Sequence, residues 1–380
     1  MERLVYLDNS ATTKPCKQAV ESALKAMTEN FANPSSLYRL GLEAENLVTS
    51  ARKEISEFLN CREDEIYFTS GGSESNNMAI FGAAEQLCRR GKHIVTTSIE
   101  HPSVLEPMKR LESKGYEVTY LLPNEDGNIS EESIKQAIRK DTILVSIMAV
   151  NNETGAVLPI WSVKEIIKKK SSPALLHIDA VQAFGKIELE PYDIDADLMS
   201  VSAHKVHGTK GSGALYVKKG VTLPGLILGG GQEKNLRSGT EAVPAIAAFG
   251  AAVKALPQIN QSRINVQQIK DYAVERLSGF ENVVINSPHN GLPYILNFSF
   301  LGYRSETLLH YLESYGVFVS SGSACSKGAG SYVLRAMGLA MNRVDSALRI
   351  SFSNETKMED IDILITALGD ARSRLKKSVR

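Results

Sequence analysis

TILVSIMAV (residues 142–150) is apolar on nearly every residue. A strand with one wet face would alternate apolar and polar side chains; this one does not. A strand apolar on both faces is buried on both faces, which points to a parallel sheet with helices above and below. Working outward, the flanking pattern agrees. Before it, helices are predicted over 36–60, 73–90 and 103–114, and strands over 65–69, 92–97 and 116–122. NEDGN (124–128) reads as a turn. Ser130 can then cap a helix whose first turn carries Glu131 and Glu132, favourable to the helix dipole. After the stretch, runs at 174–178, 197–201 and 213–217 would extend the sheet. A helix near 242–255 looks like a bridge. Beyond it come a strand at 294–300, a helix at 305–315, a strand at 348–352 and a terminal helix at 357–375. The fold class is α/β: a large domain at 15–256 with a mainly parallel sheet between helices. A smaller α+β domain takes 1–14 and 257–380.

Composition bounds the function classes. The chain has 380 residues, 43% hydrophobic and 23% charged, the mix of an ordinary globular protein of about two domains. Lys plus Arg and Asp plus Glu are 43 each. This balance gives no hint of a nucleic-acid or acidic-membrane partner. No apolar run is long enough for a membrane span, and MERLVYLDNS has no stretch fit for a secretory signal. The expected location is cytoplasmic. The cysteines are Cys16, Cys61, Cys88 and Cys325, with no CxxC, so neither a zinc site nor a disulfide scaffold is expected.

Three segments carry chemistry. In TSGGSESNN (69–77) a strand meets Gly71-Gly72 and a helix begins at Ser73. Helix N-termini offer free N–H groups, and the glycines allow close approach, so this turn suits a phosphate. The spacing is neither GxGxxG nor a Walker loop. HIDAVQ (177–182) puts Asp179 at a strand's end, where it faces either a cationic nitrogen or the next helix. In SVSAHKVHGTKGSGALYV (200–217), Lys205 sits between two histidines in a small, glycine-rich loop. It is a Schiff-base candidate or an ordinary solvated lysine. His204 and His207 have no supporting metal ligands nearby. Together, a phosphate cradle, an acid for a pyridinium nitrogen and a Schiff-base lysine are the fixtures of a pyridoxal phosphate enzyme.

With these segments the sequence resembles the cysteine desulfurases of the class V aminotransferase group, within the fold-type I pyridoxal phosphate enzymes. The matching motifs span nearly the whole chain. They include YLDNSATT (6–13), NPSS (33–36), EHPSV (100–104), NNETG (151–155), SAHKVHGTKGSGALY (202–216), RSGT (237–240), SSGSACS (320–326) and ALRISF (347–352). The resemblance implies that Lys205 bonds to pyridoxal 5'-phosphate, Asp179 pairs with its ring nitrogen and Gln182 meets its ring hydroxyl. Gly72, Ser73, Ser202 and His204 would hold the phosphate, with Thr240 reaching in from the second subunit of a homodimer. His101 would stack on the ring and move protons. Asn152 and Arg349 would bind the carboxylate of L-cysteine, Arg349 through its planar fork. Cys325 would accept the sulfur as a persulfide while alanine leaves, then pass it to an acceptor protein. Gly322, Lys327, Gly328 and Gly330 suit a mobile loop around it. Cys16, Cys61 and Cys88 read as structural.

Some positions depart from the family pattern. Gly72-Ser73 replaces the usual Ala-Thr, and Tyr38 and Ala149 stand where histidines are common. His207 and Thr209 replace a tyrosine and a proline. Only SKGAGS separates Cys325 from Tyr332, and the chain stops soon after the terminal helix. These last two features leave the acceptor open between an iron–sulfur scaffold and a tRNA-thiolating enzyme. Rival activities are a selenocysteine lyase, another class V aminotransferase-like or kynureninase-like enzyme, and a non-catalytic binding subunit.

Overall fold

The computed structural model describes residues 4–321 and 330–377. The strands are β1 (Val5–Tyr6), β2 (Ile66–Thr69), β3 (His93–Thr97), β4 (Glu117–Leu121), β5 (Thr142–Met148), β6 (Leu175–Asp179), β7 (Leu198–Ser202), β8 (Gly213–Val217), β9 (Val283–Ile285), β10 (Ile295–Phe300), β11 (Val317–Phe318) and β12 (Ala347–Ser351). The longer helices are α1 (Lys17–Thr28), α2 (Arg39–Phe58), α3 (Gly72–Leu87), α4 (Pro102–Glu112), α5 (Glu131–Ala137), α6 (Ile160–Lys169), α7 (Val243–Lys254), α8 (Ile259–Ser278), α9 (Ser305–Glu313) and α10 (Met358–Arg374).

Seven strands form one sheet in the order β2-β8-β7-β6-β5-β3-β4. From β7 to β4 every neighbouring pair is parallel; β8 alone runs against its neighbours β2 and β7. The run 213–217 therefore extends the sheet as expected, but antiparallel, because it returns directly from β7 through a short loop. All seven residues of β5 are buried. Ile143 and Leu144 pack with the α3–α4 side, Val145 and Ile147 with the opposite core. The two-faced apolar pattern thus has its cause in two layers of helix.

A second sheet, β12-β10-β9, is antiparallel. Helices α8, α9 and α10 pack on one another and on this sheet. β1 pairs in parallel with β11, Val5 opposite Val317, so the chain's first strand joins the C-terminal half. Residues 8–13 then cross from the second sheet to the first.

The expected bounds of individual helices and strands hold within a few residues. Helices α1, α6 and α8, and the short strands β1, β9 and β11, were not expected from sequence. In α8 the buried stripe is Ser262, Val266, Lys270, Ala273 and Leu277. Two polar residues stand where an apolar template needs hydrophobic ones. Among the described residues, no helix is long and apolar enough to cross a membrane.

Candidate active site

The parallel strands all end at one edge of the sheet, and the loops leaving that edge enclose a cleft of about 780 Å³. Open α/β sheets bind ligands at this edge. β2 delivers Gly72 and Ser73, and the loops after β3, β5, β6 and β7 deliver His101, Asn152, Asp179 with Gln182, and Ser202 to Lys205. Arg349 enters from β12 of the second sheet. The structure thus brings ten of the expected residues to one cavity.

The cradle at the start of α3 is built by close approach. Gly71 has φ +151, and a Cβ at Gly72 would fall 2.6 Å from Val181 Cγ2. A Cβ at Gly213 would fall 2.7 Å from Gly71 Cα. The first-turn N–H groups have no helical acceptor. The Ser202 hydroxyl, buried beside them, has no hydrogen-bond partner among the described residues. A buried hydroxyl left alone is costly, so an acceptor-rich ligand fits here. Glu74 in the same turn would repel an anion, but Arg237 Nε binds its Oε1 at 2.8 Å.

Lys205 Nζ is held by two carbonyls of the crossing segment, Ser10 O and, at 2.8 Å, Ala11 O. Burial, and then the nearby Arg349 charge, push its ammonium down to about 8. Asp179 is buried; Oδ2 accepts from Asn76 Nδ2 at 2.8 Å and Oδ1 from the Val181 N–H at 3.0 Å. His101 lines the cleft and caps α4, with Nδ1 accepting from the Ser103 N–H at 3.1 Å. An acceptor at Nδ1 leaves the neutral ring's proton on Nε2. Burial holds this imidazole below its ordinary value. His204 lines the cleft, is pushed down to about 4 by burial and the Lys205 charge, and meets Thr12 Oγ1 at 3.2 Å. His207 instead turns to Lys14 O at 3.0 Å. Among the described residues no cluster of His, Cys, Asp or Glu could hold a metal ion.

Arg349 does not stand empty. Nη2 binds Asp8 Oδ1 at 2.8 Å and Nη1 binds Asn152 O at 2.9 Å, while Nε and Asn152 Oδ1 are buried without partners among the described residues. A carboxylate ligand would displace or share Asp8. Asn151 serves the loop itself, its Oδ1 capping the N–H groups of Glu153 and Thr154 at 2.9 Å each. Thr240 is exposed and lies outside its own chain's cleft. Cys325, with Gly322, Lys327 and Gly328, lies outside the described residues. Of the other cysteines, Cys61 is pushed up to about 12 by burial and by Glu65, whereas Cys88 is exposed.

Sequence reasoning missed the crossing segment's part in the site: Asp8 on Arg349, and Ser10 and Ala11 on Lys205. It also missed Asn76 behind Asp179 and Glu153, a buried carboxyl pushed up to about 7 that accepts from Ser331. Contacts made by backbone carbonyls carry no residue-type signal. Asn76 had one, lying a single helical turn after the cradle.

The comparisons with known proteins agree with this geometry. The family model described as aminotransferase class-V matches residues 5–364. A cysteine desulfurase IscS of Clostridium botulinum (strain Hall) is 41% identical, covering 97% of this chain and 94% of its own. A cysteine desulfurase IscS of Methanosarcina thermophila is 40% identical, covering 98% and 93%. A solved NifS-like protein superposes with a TM-score of 0.93 at 36% identity, over 98% of this chain and all of the other. Enzymes of this kind depend on pyridoxal 5'-phosphate, and the unpartnered Ser202 hydroxyl, the glycine cradle, Asp179 and Lys205 fit that group. The chain belongs to the class-V aminotransferase family, among its pyridoxal 5'-phosphate-dependent cysteine desulfurases.

Proposed function

We propose that this enzyme takes sulfur from L-cysteine through a division of labour among the residues of the cleft, leaving L-alanine and a persulfide on Cys325. The observation that carries the assignment is the convergence of the α3 cradle, Asp179 and Lys205 on one cavity. Gly72, Ser73, Ser202 and His204 hold the phosphate, Asp179 the ring nitrogen, and Gln182 the ring oxygen. When bound, pyridoxal 5'-phosphate supplies an electron sink for the substrate's α-carbon. Lys205 Nζ takes the α-proton; its lowered proton affinity keeps a share of neutral amine near pH 7. His101, lining the same cleft, would lie against the cofactor ring, its Nε2–H able to donate a proton. Arg349 and Asn152 hold the carboxylate. Cys325, as thiolate, accepts the sulfur and carries it to an acceptor.

The site is completed in a homodimer. The exposed Thr240 reaches into the partner's cleft, and an apolar stripe on α1 (Val20, Leu24, Met27) continues to Phe31 and Leu37, all more than half exposed. The acceptor is an iron–sulfur scaffold or a tRNA-thiolating enzyme in the cytoplasm. The pairing of β1 with β11 supports assigning residues 1–14 to the smaller domain with 257–380.

The test is to incubate the loaded enzyme with L-cysteine and a reducing thiol and to quantify alanine and sulfide together. Equal yields support the reading. Pyruvate in place of alanine would mean elimination. C325S should load cofactor normally yet release no sulfide; full sulfide release would remove Cys325 from the reaction.

A further inference from the structure

Behind the cleft lies a second basic group that the reaction above does not use. Lys186 is 7% exposed, on the turn that follows Gln182. Its Nζ donates to Gln182 Oε1 at 3.2 Å, and the Tyr294 ring centroid lies 5.9 Å away. The charged groups that bear on it are Lys205 and Arg349, and both disfavour its ammonium. A buried lysine beside two cations is costly, so its position needs a reason.

Gln182 supplies it. Its Nε2 donates to Ser10 O at 2.9 Å. A carbonyl can only accept, which sets the nitrogen on that side. Lys186, charged or neutral, has an N–H to give and occupies the oxygen. The amide is therefore held at both ends. Its remaining N–H, not its oxygen, is left to face the cleft. Ser10 O also accepts from Lys205, so the same carbonyl ties the amide to the nucleophilic amine.

We propose that Lys186 is a positioning residue that fixes the orientation of the Gln182 amide, so that the cleft presents a hydrogen-bond donor to an anionic ring oxygen of the cofactor. This rests on the pyridoxal phosphate reading of the cleft. Without Lys186 only the Ser10 carbonyl orders the amide, so its oxygen turns inward in part of the population and the donor is lost there. A donor to that oxygen stabilises its negative charge most when the neighbouring imine nitrogen has lost its proton.

The experiment uses the loaded full-length enzyme and follows its visible absorption band against pH, together with cofactor affinity. K186M should raise the midpoint of that titration and weaken pyridoxal phosphate binding about fivefold, the worth of one hydrogen bond. Q182L should do at least as much. The double variant should be no worse than Q182L, because both changes remove one contact. K186R, and K186Q with its amide donor, should restore the wild-type midpoint; they also serve if K186M does not fold. An unchanged midpoint in K186M, or effects of K186M and Q182L that add, would overturn the proposal. A wild-type enzyme that shows no visible band after incubation with the cofactor, and no lysine-linked cofactor after borohydride, would instead overturn the cofactor reading beneath it.

Discussion

Lys205 must be both basic enough to take a proton and neutral enough to form a bond. Its surroundings set the balance: burial and Arg349 bring it down to about 8, while Asp8 and Asp179 oppose them. A lysine whose proton affinity is lowered is mostly protonated below that pH and mostly neutral above it. The rate at which the apo enzyme takes up pyridoxal phosphate should therefore rise through about pH 8 and level off above, followed by growth of the visible band. A rate that is flat from pH 6 to 9 would mean another group controls loading. K205A should show no lysine-linked band at any pH. Asn76 offers a second test. It holds Asp179 Oδ2 and also bonds Ser103 Oγ at 2.8 Å, so it fixes the acid and braces the His101 cap. N76A should weaken cofactor binding about tenfold, near the worth of a hydrogen bond to a charged group, with far-UV circular dichroism unchanged.

At the scale of elements, one irregular segment is firmly anchored. Residues 233–235 have φ of 46, 54 and 67, a left-handed run that costs roughly 1–2 kcal/mol per residue without glycine. Glu233 holds it in place. It meets Arg52 at both oxygens, 2.7 and 3.0 Å, and accepts from the Phe68 N–H of β2 at 2.9 Å. This clamp fixes the start of the segment leading to Arg237 and Thr240. E233A leaves Arg52 only the Ile66 carbonyl and the Phe68 ring, and should lower unfolding stability by about 2 kcal/mol or more, measured by urea denaturation. A loss below about 1 kcal/mol would mean the turn holds without the clamp. The same elements mark what was legible in sequence. β5 was plain because its burial on both faces forces an apolar run. The cradle and Lys205 were ambiguous alone, a glycine turn and a loop lysine, and became legible only together with Asp179 and through the resemblance. The antiparallel sense of β8 was not, since a buried strand looks the same in either direction. Nor was α8, whose buried stripe includes Ser262 and Lys270.

At the scale of the molecule, two buried carboxyls set how stability follows pH. Burial raises Glu100 to about 8 and Glu153 to about 7. Between pH 4.5 and these values the folded chain binds more protons at both sites than the unfolded chain does. Their contribution to stability is therefore greatest at low pH and is lost as pH rises. The midpoint of thermal unfolding should fall less between pH 5.5 and 8 in E100Q/E153Q than in the wild type. An equal fall in both would assign the dependence to other groups. The exposed stripe on α1 makes the assembly testable too. L24E/M27E should shift a dimer towards monomer in sedimentation velocity and reduce activity, if Thr240 acts across the interface.

The segment from Asp8 to Thr13 joins parts made at opposite ends of synthesis. Ser10 receives Lys205 at its carbonyl, and its N–H donates to Ser351 Oγ at 2.8 Å; Asn9 Nδ2 reaches Ser351 O at 2.9 Å. A chain growing on the ribosome has its first sheet complete by Val217, with Gln182 and His204 already able to hold residues 10–13, yet it lacks the Ser351 anchor and Arg349 until β12 has emerged. Order of translation thus separates two halves of the site. The seven-stranded sheet can form early, but a cleft with Arg349 cannot, and a prematurely released chain would carry the lysine without it.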